Sequence, residues 1–226
     1  FFLGGGKNVA TDRTKFALFF EGRSSPTDFI DLMISGRYEE SDNYSSFDPK
    51  MSFKSKLNDL ISLRGSYGSS FSMPSMAQMF SSEINLGSVR DFDDNIFVRQ
   101  AQIGNPELKP SLADNLNFGI ELNSFKRELI IDYWSIDYKN RVESESSQAL
   151  LISDPYGSSI TRNESGELIG VTTTYFNETS TKVSGFDFSF YENFDFNDLG
   201  NLKFIIKGTN FIEFLTPGAG TSGMIN

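Results

Sequence analysis

The chain has 226 residues, a length that in a soluble protein would suggest one or two domains, and it holds neither cysteine nor histidine. A disulfide framework, a thiolate metal site and the commonest general base are therefore excluded. A formal net charge of −10 argues against nucleic acid as a partner, because neutralising phosphate requires a basic face.

The chain opens on Phe1-Phe2-Leu3-Gly4-Gly5-Gly6, with no initiator Met and no basic segment leading into an apolar signal region. Gly4-Gly5-Gly6-Lys7 lacks the preceding strand, full spacing and following Ser or Thr of a phosphate loop, and reads as a flexible loop end. Period-two alternation then dominates. A first strand is expected over residues 14–23. In the second, Ile30, Leu32, Ile34, Gly36 and Tyr38 alternate with Asp31, Met33, Ser35, Arg37 and Glu39. The third sets Met51, Phe53 and Leu57 against Lys50, Ser52, Lys54 and Lys56, and the fourth sets Ile61, Leu63 and Tyr67 against Ser62, Arg64 and Ser66. The fifth opposes Leu116, Phe118, Ile120 and Leu122 to Asn115, Asn117, Gly119 and Glu121. A sixth spans 126–141, but residues 129–138 break strict alternation, so its faces stay open and a bulge is one explanation. The seventh opposes Phe186, Phe188 and Phe190 to Asp187, Ser189 and Tyr191, and an eighth covers 201–214. The sequence stops at Met224-Ile225-Asn226 just after that strand, and the chain is expected to be an internal fragment.

The connections alternate in length. Residues 24–27, 57–59, 123–125 and 196–200 form short turns; between them lie a short excursion over 42–46 and two long ones, 71–111 and 142–180. Unstructured loops of that length count against a compact soluble domain, whereas an outer-membrane barrel pairs short periplasmic turns with long extracellular loops. Single helical turns are expected at 74–80 and 146–152. No run of about 18 apolar residues occurs, so no transmembrane helix is expected. The slightly polar mean hydropathy fits a barrel, in which only alternate residues face lipid. The 23 Phe would fill a sandwich core or coat the outside of a barrel. The polar face carries Asp31, Arg37, Glu39, Lys50, Lys54, Lys56, Arg64, Glu121, Asp187, Lys203 and Lys207, which would meet solvent in a sandwich and the lumen in a barrel.

Five matches occur in a telling order, the first made of two short runs. Arg37-Tyr38-Glu39 leads to Phe47-Asp48-Pro49-Lys50. Leu63-Arg64-Gly65-Ser66-Tyr67-Gly68-Ser69-Ser70-Phe71-Ser72-Met73-Pro74-Ser75 follows, then Gly104-Asn105-Pro106-Glu107-Leu108-Lys109-Pro110, then Asp132-Tyr133-Trp134-Ser135-Ile136-Asp137, and finally Val183-Ser184-Gly185-Phe186-Asp187-Phe188. Together they resemble the barrel domain of the TonB-dependent receptors of Gram-negative outer membranes. Tyr67, Gly68, Phe71, Pro74, Gly104, Asn105, Pro106, Leu108, Pro110 and Gly185 are the motif positions. Two departures are Ser72, where the family often has Arg, and Ser111-Leu112-Ala113, where Glu with Ser or Thr is commoner.

The resemblance implies an all-β fold: an antiparallel transmembrane β-barrel fragment, about eight strands of a barrel of about 22 whose lumen is plugged. It implies that residues 1–226 all belong to the barrel domain, with the plug and the C-terminal strands, the last of which ends in an aromatic residue, missing. It also implies energised uptake of a scarce, large nutrient, most often an iron–siderophore complex, with cobalamin, haem and oligosaccharide as other cargoes. Partners would be outer-membrane lipid, the extracellular ligand and, through the plug, the TonB–ExbB–ExbD complex. A passive porin, or a soluble β-sandwich binding carbohydrate or serving adhesion, is the alternative.

Candidate ligand contacts lie in the long loops. Asp91-Phe92-Asp93-Asp94-Asn95 offers oxygens to a hard cation but lacks the glycine and downstream Glu of an EF-hand, so a solvated loop is the plainer reading. Arg90 and Arg99 flank it and could grip an anionic chelate. Tyr156, Arg162, Tyr175 and Phe176 offer stacking surface in the other loop. Lys50, Arg64, Glu121 and Asp187 are the residues expected to face the plug. Nothing singles out a carboxylate pair for acid–base work, so neither catalysis nor a cofactor or metal is assigned.

Overall fold

Alternation along the strands, rather than one buried core, organises this chain. The computed structural model describes residues 4–6, 9–92, 94–197, 200–217 and 224–225. In chain order come β1 (Gly4–Gly6), β2 (Lys15–Thr27), β3 (Ile30–Ser41), β4 (Tyr44–Lys56), β5 (Ile61–Ser72) and α1 (Met76–Phe80). There follow β6 (Ser82–Asp91), β7 (Asp94–Ile103), β8 (Ser111–Ser124), β9 (Arg127–Ser144) and α2 (Ser147–Ser153). The chain continues with β10 (Ile160–Arg162), β11 (Leu168–Asp195), β12 (Asn201–Pro217) and β13 (Met224–Ile225).

The eight long strands lie side by side as β2-β3-β4-β5-β8-β9-β11-β12, every neighbour antiparallel. They match the eight expected from alternation, and they form one layer, which removes the sandwich reading. Directly paired residues share a face. One row of pairs runs Leu32, Phe53, Gly65, Phe118, Tyr133, Phe186, and the row beside it runs Asp31, Lys54, Arg64, Gly119, Asp132, Asp187, Thr209. The first face is apolar and open: Phe118 is 48% exposed and Phe186 42%. A sheet of rings that size facing water would be a large apolar patch; facing lipid it is the outside of a barrel wall. Phe53 and Phe188 lie over Gly65 and Gly208, where an added Cβ would come within 2.5 Å of either ring.

Four details differ from the sequence expectations. Gly4–Gly6, expected as a loop end, pairs antiparallel with residues 83–85 of β6. The excursion at 42–46 is a two-residue turn, because Asp42 adopts φ 52° and lets Ser41 pair directly with Tyr44. The β2–β3 turn sits at Asp28-Phe29 and the β8–β9 turn at Phe125-Lys126, a few residues beyond the polar runs that suggested them. Finally, β9 is not bulged over 129–138: its ladder with β8 runs in one register, placing Leu129, Ile131 and Tyr133 outward and Ile130, Asp132 and Trp134 inward. The register shift lies one strand pair further on, between β11 and β12 at Ser184/Gly185, where β12 carries the extra residue Ile212. Alternation fails in β9 because both faces carry large apolar residues.

The long loops are structured. In the first, Ser75 caps α1: its Oγ accepts from Gln78 N at 3.2 Å, and Gln78 Oε1 accepts from Ser75 N at 2.8 Å. The β6–β7 hairpin follows. In the second, Ser146 Oγ accepts from Ala149 N at the start of α2. The helical turns expected at 74–80 and 146–152 thus form. β11 ties both loops to the wall. Its outer segment pairs in parallel with β7, Gly170 with Arg99 through Thr174 with Ile103, before β9 takes over the same edge at Tyr175. Val89, Val98, Leu151, Leu168 and Val171 form a small buried cluster here, joined by Leu150, Ile96 and Ile160. This cap folds as a soluble protein does; the wall does not.

Candidate functional site

All the structured loops stand at one end of the wall, and the Gly104–Pro110 segment anchors them. An added Cβ at Gly104 would lie 2.7 Å from Met79 C and O, so only glycine permits this approach to the backbone of α1. Asn105 Oδ1 accepts from Glu107 N at 2.9 Å, and its Nδ2 donates to Tyr175 O on β11 at 2.9 Å. Asn177, also on β11, accepts from Lys109 N at 2.7 Å and donates to Lys109 O and Asn140 O, each at 2.8 Å. Leu108 is 1% exposed, and Pro74 and Pro110 are buried. These motif residues therefore position the cap; Pro106 alone among the motif prolines is exposed.

Above this clamp the two loops are latched together. Arg162 of β10 donates through Nη1 to Asp91 Oδ2 at 2.8 Å and through Nη2 to Asp91 Oδ1 at 2.7 Å. Its guanidinium also lies over the rings of Tyr156 and Phe92, at 5.0 and 5.6 Å from their centroids. The guanidinium holds the Asp91 carboxyl below the usual carboxylate range, against the opposing effect of partial burial. Phe92 takes φ 52°, a strained conformation for so bulky a side chain. Asp94 is exposed at the hairpin tip, while Asp93 lies outside the described residues. No group of three or more carboxylates converges on a cation position among the described residues. Arg90 exchanges backbone hydrogen bonds with Gln148 of α2, N to Oε1 at 2.7 Å and O to Nε2 at 2.9 Å. Arg99 points away from the latch and is exposed.

The polar face of the wall carries the second set. Arg64 and Asp132 form a two-point bridge across β8, with Nε to Oδ1 at 2.9 Å and Nη2 to Oδ2 at 2.5 Å. Between them sits Gly119, where an added Cβ would fall 2.0 Å from Asp132 Oδ1. Glu121 accepts from Asn123 Nδ2 at 2.7 Å and lies 3.6 Å from Lys54 Nζ. Asp187 accepts from Thr209 at 2.7 Å. Lys50 is exposed, its stem draped against Gly68, while Trp134 covers Gly185 and meets Phe211 edge-on at 5.6 Å. Nearer the loops, the buried Glu39 accepts from Lys15 at 2.7 Å and from Arg37 at 2.6 Å. Sequence reasoning missed Asp132 as the partner of Arg64, because its face was open, and Gly119 as the gap that lets them meet.

One further feature links cap to lumen. Asn140 has φ 53°, between the pairs Glu178↔Arg141 and Ser180↔Lys139. There the alternation of β11 slips: Thr181 donates to Glu178 Oε2 at 2.8 Å although residues three apart on a regular strand point oppositely. Thr216 and Arg141 complete the network around Glu178. The face of outer β11 that holds Thr172, Thr174 and Glu178 therefore continues into the lumen face that holds Thr181 and Asp187.

Residues 3–222 match the family described as TonB dependent receptor-like, beta-barrel. The probable TonB-dependent siderophore receptor PirA of Acinetobacter baumannii is 25% identical over 140 residues, 58% of this chain and 18% of its own length. The crystal structure of that receptor superposes with a TM-score of 0.64 at 18% identity, over 91% of this chain and 30% of its own. The ferric enterobactin receptor PfeA of Pseudomonas aeruginosa gives 0.64 at 17% identity, over 91% of this chain and 29% of the receptor. The chain thus spans under a third of these relatives. Its wall, with rings outward, charges inward and every long connection at one end, belongs to the β-barrel of the TonB-dependent receptor family, a family of the outer membrane.

Proposed function

We propose that this chain supplies part of the barrel wall and two extracellular capture loops of a receptor that imports an iron–siderophore complex. The whole of it lies in the barrel domain, and a plug elsewhere in the full-length protein fills the lumen and couples uptake to TonB–ExbB–ExbD. The observation that carries this reading is the extent of the likeness to PirA, which covers 91% of the chain and so includes the cap as well as the wall. A probable siderophore receptor is also a relative with detectable sequence identity, 25% over 140 residues. The polar face supports a plug-filled lumen: Lys50, Arg64, Glu121 and Asp187 all stand on it, and a plug or water satisfies what their neighbours leave open.

Uptake of radiolabelled iron tests the reading. Iron-starved cells lacking other receptors and carrying the full-length gene are expected to accumulate a ferric siderophore only when TonB is present. Accumulation indifferent to TonB would make the protein a passive pore. Growth rescue by haem, cobalamin or an oligosaccharide instead would keep the transporter and change the cargo. Deleting residues 81–99 is expected to abolish ligand binding while barrel assembly survives; unchanged uptake would remove these loops from ligand capture.

A further inference from the structure

Charged residues frame the apolar, outward face of the wall at both ends. At the short-turn end Arg127 and Glu192 pair across β9 and β11, with Nε to Oε1 at 2.6 Å. At the loop end the outward row across β8, β9 and β11 reads Asp114, Asp137, Lys182, and Lys139 stands one outward position further up β9. Between these borders the outward residues of the three strands carry no charge, and most are apolar, Phe118, Tyr133 and Phe186 among them. Residues 127 and 137 lie about 33 Å apart along β9, at about 3.3 Å per residue, which a tilt of about 40° reduces to about 25 Å in height. That is the height of the apolar band of an outer-membrane barrel, so the upper row stands level with the headgroups of the outer leaflet.

The two borders differ in how their cations are held. Arg127 makes a short bond, whereas Lys139 Nζ stands 3.5 Å from Asp114 and Lys182 Nζ 3.8 Å from Asp137, both beyond hydrogen-bond range. The two lysine side chains are 54% and 50% exposed, so their ammonium donors stay available. The hydroxyls of Tyr67 and Ser180 occupy the two carboxylates instead, each at 3.4 Å. Lys139 is paired with Ser180, two residues from Lys182, which puts the lysine stems on one face about 7–8 Å apart, a span that one phosphate bridges. We propose that Lys139 and Lys182 hold a phosphate of lipopolysaccharide, whose acyl chains lie down the apolar rows beneath. The order of chemistry on the wall is that of the lipid, cationic donors above and rings and aliphatic side chains below. Asp114 and Asp137 compete with the phosphate for the same amines, so they weaken the site rather than build it. The proposal goes beyond the uptake reading and holds whatever the cargo.

The test is native mass spectrometry of the full-length receptor in detergent, titrated with bisphosphoryl lipid A and with the same lipid dephosphorylated. The wild type is expected to bind the phosphorylated form at least tenfold more tightly. Lys139→Gln combined with Lys182→Gln should remove that preference without changing affinity for the dephosphorylated form, and Asp137→Asn should tighten binding of the phosphorylated one. Lys126→Gln, at the β8–β9 turn on the other side of the membrane, should change neither. Heat-modifiable migration of the barrel shows that each variant assembles. Equal affinity of the wild type for the two forms, or a double variant that keeps the tenfold preference, overturns the proposal and leaves the uptake reading standing. Displacement of the lipid by millimolar inorganic phosphate, or equal affinity for phosphatidylglycerol, also overturns it, because the amines would then take any phosphate. A receptor that binds lipid A as expected and imports no ferric siderophore would sink the uptake reading alone.

Discussion

Arg162 grips Asp91 with two hydrogen bonds of 2.7 and 2.8 Å across 71 residues of sequence, joining the second long loop to the tip of the first. Both side chains are about nine-tenths buried, so losing one partner strands the other. Breaking such a pair costs about 3–5 kcal/mol. Arg162→Gln and Asp91→Asn are each expected to raise the hydrogen-exchange rate across residues 82–103 and to expose this hairpin to protease, leaving the wall strands protected. The double variant should cost less than the sum of the two. A hairpin as protected in Asp91→Asn as in the wild type would show that the latch contributes nothing.

The same pair sets a pH dependence. Because the folded Asp91 carboxyl titrates below its unfolded value, its contribution is fully present above the ordinary carboxylate range and is lost as pH falls through the depressed value. Hairpin protection should be flat from pH 8 to about 5 and decline only below about 4, near and under the unfolded carboxylate value. Asp91→Asn should abolish that decline. Loss of protection already near pH 6 would require some other group.

How much of this was legible follows from which physical signal each part left. Leu32, Phe53 and Phe118 were placed correctly because a half-lipid-facing strand writes its two faces as strict alternation. β9 left no such record, since Ile130, Trp134 and Ile136 put apolar bulk on the lumen side; only the ladder shows that Trp134 fills the gap at Gly185. The cap was legible in part: the helical turns at 74–80 and 146–152 were expected, but the β6–β7 hairpin hides in a stretch where Gly87 and Arg90 interrupt the pattern. Arg162 and Asp91 were each visible as loop charges. Their pairing was not, because a contact 71 residues apart has no local signature.

Gly119 is expected to matter more than its lack of a side chain suggests. A methyl group there would occupy the space that Asp132 Oδ1 now fills, so Gly119→Ala turns the carboxylate away and leaves Arg64 unpaired. The bridge is partly open to the lumen, so its loss should cost only about 1–2 kcal/mol. Denaturant unfolding of the full-length barrel in lipid vesicles should give Gly119→Ala and Asp132→Asn similar losses, and the combination little more than either. Additive losses would mean that the alanine acts elsewhere.

Gly104 makes the opposite case, because what a Cβ would strike there is backbone. Met79 C and O and Phe80 N all lie 2.7 Å from the added atom, and no rotamer change relieves the clash. Gly104→Ala should push α1 off the anchor segment at a cost of about 1–3 kcal/mol. Asn105→Ala, which removes the bonds to Glu107 N and Tyr175 O, should loosen the same region by a comparable amount. Both are expected to lower the yield of capped receptor and raise proteolysis near residues 72–82, with the wall strands intact. Normal protease resistance in Gly104→Ala would show that α1 shifts without penalty.

The assignment of faces can be tested with two neighbours. Phe118 points outward between Gly65 and Tyr133, midway along β8; Asn117, one residue earlier, points into the lumen between Ser66 and Trp134. Arginine at the lipid midplane of a barrel costs about 2–4 kcal/mol, whereas a lumen substitution adds charge to a surface already polar. Phe118→Arg should therefore impair assembly into outer-membrane-like vesicles and lower unfolding free energy by that amount. Asn117→Arg, which can lay its guanidinium on Trp134, should change it by less than about 1 kcal/mol. Both residues lie on the same strand at nearly the same depth, so length, strand propensity and distance from the interface are matched. Equal costs at the two positions would mean that neither face meets lipid, and the barrel wall as drawn from Leu32 to Phe186 would fall with them.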